Sequence, residues 1–306
     1  MNQQIQTYHV PVLLQQSVDG LNIKPNGTYV DLTFGGGGHS REILRRLGPD
    51  GRLIAFDQDE QAYANRPDDD RLIFVRHNFR YIAHFLHYMD IEQVDGVLGD
   101  LGVSSHHFDA PERGFSFRFD APLDMRMGQG MMRTAADLVN TYDEKQLAQV
   151  LSEYGEIKQA AKLARLLCTS RSSKPITTTF ELRDIVVSTV IPPEQNKLLT
   201  KVFQALRIEV NGEMDALREM LGHMPQIIKK GGRLSVIAYH SLEDRMVKNL
   251  IKSGDPMKAE PDKDSIYGHA EVPFSALSRK PIVPTAEEVE ANSRARSAKL
   301  RIATKD

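Results

Sequence analysis

The sequence predicts an α/β fold, a parallel sheet with crossover helices whose chain is interrupted by an α-helical insertion. From Tyr29 to Leu98, short apolar runs alternate with helical periodicity, the pattern of strands joined by crossover helices. From about residue 135 to residue 190 no strand-like alternation appears, and the α/β pattern returns from Met214 onward. We therefore expect one α/β domain interrupted by an insertion of roughly 100 residues.

Length and composition are those of an ordinary globular protein. The 306 residues exceed the ~100 to 200 residues of a usual domain, so one large or two moderate units are expected. Lys and Arg number 39 while Asp and Glu number 41, which gives a net charge of −2. Nucleic-acid binding by bulk charge is therefore excluded, and any such contact requires a local basic patch.

Three further features predict a soluble cytoplasmic protein. The single cysteine, Cys168, cannot form an internal disulfide, and we interpret it as a small helix-face hydrophobe rather than a catalytic thiol. The amino terminus lacks the basic and apolar regions of a secretory signal. No stretch reaches the ~18 uninterrupted apolar residues of a membrane span, so we expect no membrane association.

Four apolar runs in the first third of the chain are predicted strands. They are Tyr29–Phe34, Arg52–Phe56, Leu72–Val75 and Val94–Leu98. An amphipathic helix is expected between the third and fourth strands, because apolar residues recur there at three- and four-residue steps, at Phe79, Ile82, Leu86 and Met89.

The remaining elements follow from caps and periodicity. Two Thr-x-x-Glu patterns, Thr141 to Glu144 and Thr178 to Glu181, are predicted capping boxes that begin helices of the insertion. A helical face from Met214 to Ile228 precedes Gly231-Gly232, which separate it from a predicted strand. The late strands are expected at Arg233–Ala238 and Lys299–Ala303, and 252–285 is expected to be a long loop.

Ligands of open parallel sheets bind beyond the carboxyl ends of the strands. Four glycines follow the first predicted strand, in the stretch FGGGGHS at 34–40, where bare backbone can approach a ligand at the start of a helix. The spacing G-x-G-x-x-G fails there, which disfavours a dinucleotide and hence an NAD-linked dehydrogenase. Asp57 follows the second strand, 19 residues after Gly38, where a carboxylate can bind a ribose diol or, alternatively, cap the next helix.

Two more strand ends carry candidate residues. Phe79, after the third strand, is predicted either to lie beside an adenine ring or simply to pack in the core. Asp100 ends the fourth strand, where the reacting group of such folds is commonly held.

Three distant stretches together resemble one known family. They are TFGGGGHS at 33–40, DLGVSS at 100–105, and ERGFSF at 112–117 running to PLDMRM at 122–127. Further matching stretches are FQALRIEVNGE at 203–213, HSLEDR at 240–245 and RARS at 294–297. The chain thus resembles, over nearly its whole length, the RsmH (MraW) family of bacterial S-adenosylmethionine-dependent methyltransferases, which modify a cytosine of 16S ribosomal RNA at its exocyclic 4-amino group.

The resemblance implies a fold and a set of cofactor contacts. The implied fold is a Rossmann-like S-adenosylmethionine-dependent methyltransferase domain interrupted by an α-helical insertion domain. We expect its first part at 1–107, the helical substrate-recognition insertion at 108–206 and its second part at 207–306. The implied S-adenosyl-L-methionine contacts are Gly37, Gly38, His39, Asp57, Phe79 and Asp100. A seventh contact is implied at His107. The family usually has Ser-Ser-Pro-Gln at this place, where this chain has Ser104-Ser105-His106-His107.

The chemistry of methyl transfer to an amino nitrogen assigns Asp100 a candidate role. A hydrogen-bond acceptor for the amino group would raise the electron density of a poor nucleophile, and Asp100 is the first candidate. The alternatives are that Asp100 only binds the cofactor or shapes the turn, with a backbone carbonyl of Gly102 or Ser104 as the acceptor.

Aromatic and basic residues offer candidate contacts with RNA. Phe115 and Arg126 are predicted to contact an unstacked base or phosphate, the alternative being that they pack the loop. Five basic residues with no acid among them lie between 158 and 174, and Lys162 and Arg165 are the chosen contacts, against the alternative of a solvated helix face. The C-terminal Arg294, Arg296, Lys299 and Arg301 form a second candidate patch.

The expected partner is 16S ribosomal RNA, within the small ribosomal subunit, with no stable protein partner.

His240 and Glu243 lack the further ligands that a metal site needs, so no catalytic metal is expected. Ser241 with Asp244 is predicted to begin a helix. A non-catalytic RNA-binding assembly factor that retains the cofactor pocket is the alternative function.

Overall fold

The computed structural model describes residues 11–102, 111–128, 132–261 and 272–306. Contacts divide the chain into two compact units. Met1–Gly102 and Met214–Asp306 form the first, here called the sheet unit, and Val103–Glu213 form the second, here called the helical unit. The domain boundaries predicted from the sequence, 107/108 and 206/207, stay a prediction.

A mixed seven-stranded sheet organises the sheet unit. Its strands are β1 Thr28–Asp31, β2 Arg52–Phe56, β3 Leu72–Val75, β4 Val94–Asp100, β5 Ile228–Ala238, β6 Phe274–Ala276 and β7 Lys299–Lys305. They lie in the order β3-β2-β1-β4-β5-β7-β6. β1 to β5 are parallel, while β7 runs antiparallel to both β5 and β6. The predicted α/β fold with a Rossmann-like parallel sheet is confirmed.

The helices of the described residues follow in chain order. They are α1 Leu14–Gly20, α2 Gly38–Arg46, α3 Glu60–Ala64, α4 Ile82–Tyr88, α5 Ala135–Thr141, α6 Glu144–Glu153, α7 Ala160–Ser173, α8 Thr179–Val187, α9 Pro192–Asn211, α10 Glu213–Ile227, α11 Ser241–Ser253 and α12 Ala286–Ala291. Among the described residues, none of these helices combines the length and the apolar character that crossing a bilayer requires.

Both faces of the sheet are covered by helices, because successive side chains of a strand point to opposite faces. Val30 on β1 and Ile54 on β2 join a core with residues of α4, α10 and α11. Their neighbours Tyr29 and Leu53 join a second core with residues of α1 and α2. The parallel strands are therefore apolar on both sides, which is why they read as continuous apolar runs.

The helical unit has a core of its own, built from α5 to α9. Cys168 lies on α7 and packs against that core, as the sequence predicts. The capping box of Thr178 with Glu181 at the start of α8 is also confirmed.

The capping box predicted at Thr141 is wrong. Thr141 is the last residue of α5, and its hydroxyl donates to the carbonyl of Asp137 at 2.7 Å. The caps are Thr134, which begins α5 with Asp137, and Asp143, which begins α6 with Gln146. The helix predicted to begin at Thr141 therefore begins at Glu144, and Thr141 instead ends a separate helix, because threonine can bond back to a carbonyl one turn earlier as readily as it can cap.

The predicted start of β5 is also wrong. β5 begins at Ile228, so Gly231 and Gly232 lie inside the strand instead of before it. The register against β4 shifts there, and Gly231 has a φ of 76°. The two glycines therefore mark a bulge, which glycine permits at a positive φ.

Candidate active site

The carboxyl ends of β1 and β4 lie side by side at the point where the strand order reverses. From β1 the chain continues outward to β2 and β3, and it returns on the other side of β1 to form β4 and β5. Ligands of open α/β sheets bind at such a reversal, outside the carboxyl ends of the strands. The glycine turn follows β1 and Asp100 ends β4, so both lie at this position.

The glycine turn leads directly into α2, which begins at Gly38 with Gly37 as its N-cap residue. Gly35 and Gly37 have φ values of 52° and 76°, a region that glycine adopts without strain. A Cβ on Gly37 would lie 2.6 Å from Cζ of Phe34, and one on Gly38 would lie 2.0 Å from Cγ of Pro11. Both bare positions are therefore required by the packing of the turn itself.

Asp57 holds the glycine turn from the end of β2. Its Oδ2 accepts a hydrogen bond from the backbone of Gly35 at 2.8 Å, and its Oδ1 accepts one from the backbone of Asp59 at 2.9 Å. Asp59, and not Asp57, is the N-cap of α3. The alternative that Asp57 caps this helix is therefore wrong, and its contact with a ribose diol stays a prediction.

Phe79 begins a short 3-10 helix, Phe79–Tyr81, which is capped by Asn78. Its ring is half-buried and packs against the core beneath the sheet. The ring thus contributes to the core and retains exposed surface, so the structure is compatible with both sequence-based interpretations.

Asp100 is held at the end of β4 by two hydroxyl groups. Its backbone N–H donates to Oγ1 of Thr33 at 2.7 Å, and its Oδ1 accepts from the hydroxyl of Tyr239 at 2.7 Å. Burial raises the pKa of the Asp100 carboxyl to about 6, although His39 and the Tyr239 hydrogen bond act to lower it. A raised pKa of this kind is typical of carboxyl groups that accept or release a proton in a reaction.

His39 faces Asp100 from the first turn of α2. Its Nε2 lies 3.2 Å from the carbonyl oxygen of Val12, and its Nδ1 lies 3.9 Å from Oδ2 of Asp100. Because a carbonyl only accepts, Nε2 carries a proton and donates it to this contact. Val12 thereby orients the ring so that Nδ1 faces the acid.

A second acid, Asp31, lies at the end of β1 and is fully buried. It accepts hydrogen bonds from the hydroxyl of Ser40 at 2.6 Å and from the backbone of Thr33 at 3.0 Å. Burial raises the pKa of the Asp31 carboxyl as well. Its role is to tie β1 to α2, which fixes the turn between them.

Sequence reasoning missed Thr33 and Tyr239 as partners of Asp100. A signal for Tyr239 was present, because it directly follows a predicted strand, the same position that singled out Asp57 and Asp100. Thr33 lies within the glycine stretch, but nothing in its type or spacing indicates that it binds the backbone of β4.

The start of α11 differs from the prediction. His240 is the N-cap, and it forms a capping box with Glu243. Ser241 with Asp244 was predicted instead, but Asp244 pairs with Arg301 of β7 at 2.7 Å. Asp244 also lies 3.5 Å from Lys299, so two members of the C-terminal basic patch share this one acid as a partner.

Two predicted RNA contacts of the helical unit have structural roles. Phe115 is 5% exposed in the core of the helical unit, so the packing interpretation describes it and no ring face is offered to a base. Arg126 donates to both carboxylate oxygens of Asp124, from Nε and Nη2, each at 2.8 Å. In the same segment, Arg118 is exposed and the neighbouring Phe119 is 51% exposed.

The basic run of α7 is exposed but partly neutralised. Lys162 and Arg165 both lie on the exposed surface. Arg165 pairs with Glu144 at 3.2 Å, an acid of α6 that the sequence did not place beside it. Exposed pairs of this kind are weak and exchange readily, so the guanidinium remains usable for another anion.

His107 and Ser104 lie outside the described residues, so the contact implied for His107 and the carbonyl alternative at Ser104 stay predictions. The expected absence of a catalytic metal also stays a prediction.

Comparison with known proteins identifies relatives over the whole chain. Ribosomal RNA small subunit methyltransferase H of Bacteroides thetaiotaomicron is 58% identical over 300 residues, 98% of each chain. The protein of that name from Flavobacterium johnsoniae is 55% identical over 298 residues, 97% of this chain and 98% of its own.

Among solved structures, an rRNA methylase from Streptococcus thermophilus matches 97% of this chain and 99% of its own, with a TM-score of 0.39 and 12% sequence identity. The MraW methylase family matches residues 6–306. The chain therefore belongs to the MraW methylase family and is an S-adenosyl-L-methionine-dependent methyltransferase.

Proposed function

We propose that the protein methylates the exocyclic 4-amino group of a cytosine in the decoding region of 16S ribosomal RNA. The observation that carries this proposal is the position of the Asp100 carboxyl, whose Oδ1 accepts from the Tyr239 hydroxyl and whose Oδ2 faces His39 of the glycine turn. The names of the relatives support ribosomal RNA of the small subunit as the substrate.

The residues around the glycine turn fit the cofactor. Gly37 and Gly38 leave a bare backbone at the start of α2, where a side chain would collide with neighbouring residues. We assign Asp57 to the ribose diol and the exposed part of Phe79 to the adenine ring. His39 and Asp100 are assigned to the end of the cofactor that carries the reactive group. The cofactor would supply an electrophilic methyl group on a positively charged sulfur, and loss of the methyl group would break the carbon–sulfur bond and leave a neutral thioether.

Asp100 is assigned to the substrate amino group. The lone pair of that nitrogen is delocalised into the pyrimidine ring, so it is a poor nucleophile. A carboxylate that accepts a hydrogen bond from one N–H increases the electron density on the nitrogen as the new N–C bond forms. The nitrogen must lose one proton when it is methylated, and we assign that proton to Oδ2 of Asp100, from which it passes to solvent.

The target base must leave its stack, at a free-energy cost of about a few kcal/mol unless the RNA is already open there. We assign RNA recognition to the helical unit. Arg118 and Phe119 offer an exposed guanidinium and an exposed ring, which suit a phosphate and an unstacked base. Lys162 and Arg165 offer two further positive charges on α7.

Transfer of a tritiated methyl group tests the proposal. Naked 16S RNA, assembled small subunits and whole ribosomes are incubated side by side with the labelled cofactor, and the modified base is mapped by mass spectrometry after nuclease digestion. We expect one labelled cytosine, carrying the methyl group on its 4-amino nitrogen. Label on another base or position contradicts the proposal, and tight RNA binding without any transfer would support the non-catalytic assembly factor.

A further inference from the structure

Tyr239 connects the end of β5 with the end of β4. It directly follows β5, and its hydroxyl lies 2.7 Å from Oδ1 of Asp100. Burial and the negative charge of Asp100 raise the pKa of the phenol above its usual range. The phenol therefore keeps its proton and is the donor of this hydrogen bond.

The phenol ring is fixed independently of Asp100. The backbone N–H of Tyr239 donates to Oε2 of Glu243 at 2.8 Å, and Glu243 is itself buried. The ring packs against an apolar cluster that contains Val12 and Ile237. Gly102, which has a φ of 98°, also lies against the ring, since a Cβ at this position would be 3.3 Å from Cδ2 of the ring.

The two carboxylate oxygens of Asp100 consequently differ. Among the residues that the structure describes, only Tyr239 donates a side-chain hydrogen bond to this carboxylate, and it does so to Oδ1. Oδ2 faces Nδ1 of His39 across 3.9 Å, a separation longer than a hydrogen bond.

We infer that Tyr239 is a positioning residue for Asp100, which engages Oδ1 and leaves Oδ2 to accept the amino hydrogen of the substrate base. The inference rests on the proposed function of Asp100. A donated hydrogen bond also stabilises the charged form of a carboxyl, so Tyr239 would keep Asp100 ready to accept.

The groups that face Asp100 set the direction of the expected change. His39 and Tyr239 favour its charged form, whereas burial and the negative charges of Asp31 and Glu243 oppose it. Removal of the phenol hydroxyl takes away one hydrogen-bond donor that stabilises the charged form of Asp100. Burial and the negative charges of Asp31 and Glu243, which disfavour that form, remain. The pKa of Asp100 must then rise.

The test is Tyr239→Phe, with kcat measured at saturating cofactor and RNA between pH 5 and pH 8.5. We expect the acid limb of the profile to move up by about one pH unit, since a hydrogen bond to a charged group stabilises it by about that much. The kcat deficit should be close to tenfold at pH 5 and should vanish by about pH 8. A deficit of the same size at every pH would mean a purely structural role and overturns the inference.

Tyr29→Phe is the matched control. Tyr29 is fully buried on β1, and its hydroxyl accepts a hydrogen bond from the backbone of Lys24 at 2.7 Å. This variant also loses one buried tyrosine hydroxyl in the sheet unit, but not the one on Asp100. We expect it to leave the pH profile unchanged, and an equal shift of its acid limb would overturn the inference.

A carboxyl-carbon NMR titration tests the contact without any substrate. With labelled aspartate, the Asp100 signal is assigned by its loss in Asp100→Asn and followed in the wild type and in Tyr239→Phe. An unshifted titration overturns the inference whatever the activity. A shifted titration in a protein that methylates no cytosine supports the contact and contradicts the proposed function, so the two failures are distinguishable.

If Tyr239→Phe fails to fold, biosynthetic replacement of tyrosine by 3-fluorotyrosine keeps the ring in place. The fluorinated phenol is more acidic and donates a stronger hydrogen bond. The acid limb should then move to lower pH, and an unchanged limb overturns the inference.

Discussion

The sheet unit and the helical unit hold their functional candidates in different ways. At the edge of the sheet, Asp57 and Asp100 are each fixed by two hydrogen bonds to neighbouring strands or loops. In the helical unit, Lys162 is exposed, and Arg165 has one exposed acid as its partner. Groups that must align reacting atoms are preorganised, whereas groups that attract a polyanion need only charge and freedom to move.

The largest expected effect is the loss of turnover in Asp100→Asn. The amide is nearly isosteric and still accepts from Tyr239, but it is a far weaker acceptor and no base. We expect kcat to fall by about a hundredfold or more at pH 7.5, while the Kd for S-adenosylhomocysteine changes by no more than about threefold. Single-turnover kinetics and titration calorimetry measure the two quantities.

A different result would reassign Asp100. Normal kcat at saturating cofactor, combined with a large loss of cofactor affinity, would mean that Asp100 only binds the cofactor.

The glycine turn gives the second effect. In Gly37→Ala, the new Cβ is both at a positive φ and 2.6 Å from the ring of Phe34. We expect cofactor affinity to fall by about tenfold and the free energy of unfolding to fall by about 2 to 3 kcal/mol.

Gly231→Ala is the matched control for this change. Gly231 has the same φ of 76°, but no atom lies within 4 Å of its Cβ position. In this variant the free energy of unfolding should fall by only about 1 kcal/mol, the cost of a side chain at a positive φ, and the cofactor affinity should be unchanged. Equal losses of affinity in the two variants would contradict the proposed cofactor position.

A third effect is the pH dependence of stability. Burial raises the pKa of Asp100 to about 6, so this one carboxyl holds more of its proton in the folded state than in the unfolded chain between about pH 4 and pH 6. Its own contribution therefore becomes less favourable to folding as the pH rises through that window, and the penalty from this group is complete above it. Asp100→Asn should be more stable than the wild type by about 1 to 3 kcal/mol at pH 8, and equally stable near pH 4.

Urea denaturation at both pH values measures that difference. If the variant is less stable at pH 8, the buried carboxylate is stabilised by its surroundings, and its pKa is not raised.

The smallest effects are expected on the helical unit. Lys162→Ala should weaken RNA binding about two- to threefold and reduce the slope of log Kd against log salt concentration by about one. Arg165→Ala should have a smaller effect, because Glu144 already neutralises part of its charge. Lys230→Ala, an exposed lysine of β5, is the control. If it matches Lys162→Ala, the contribution of α7 is only that of general charge.

The sheet could be predicted from the sequence because its strands are buried on both faces. β2 and β3 have the predicted bounds, and β1 and β4 differ from them by only a few residues. The predicted start of β5, Arg233, lies five residues after its actual start at Ile228, since a glycine pair inside a strand has the same sequence pattern as the end of a helix. Periodicity carries no information on which hydroxyl reaches across the sheet, and so Tyr239 and Thr33 were found only in three dimensions.

The helical unit was harder to predict in detail. The charge run of α7 is continuous along the chain, but Glu144 lies opposite it in space. Phe115 and Arg126 are of suitable types for RNA, yet one is buried and the other is paired with Asp124. Residue type indicates what a side chain can bind, while only packing decides whether it is available.

The contacts of Pro11 and Val12 have a consequence for protein engineering. The ring of Pro11 packs against Gly38, and the carbonyl of Val12 orients His39. Neither residue belongs to the glycine motif. A designer who transplants only the segment 33–40 into another scaffold would obtain a loop without the surface against which it folds. A working transplant has to bring along this short upstream stretch, and a screen of such chimeras should recover function only when it is included.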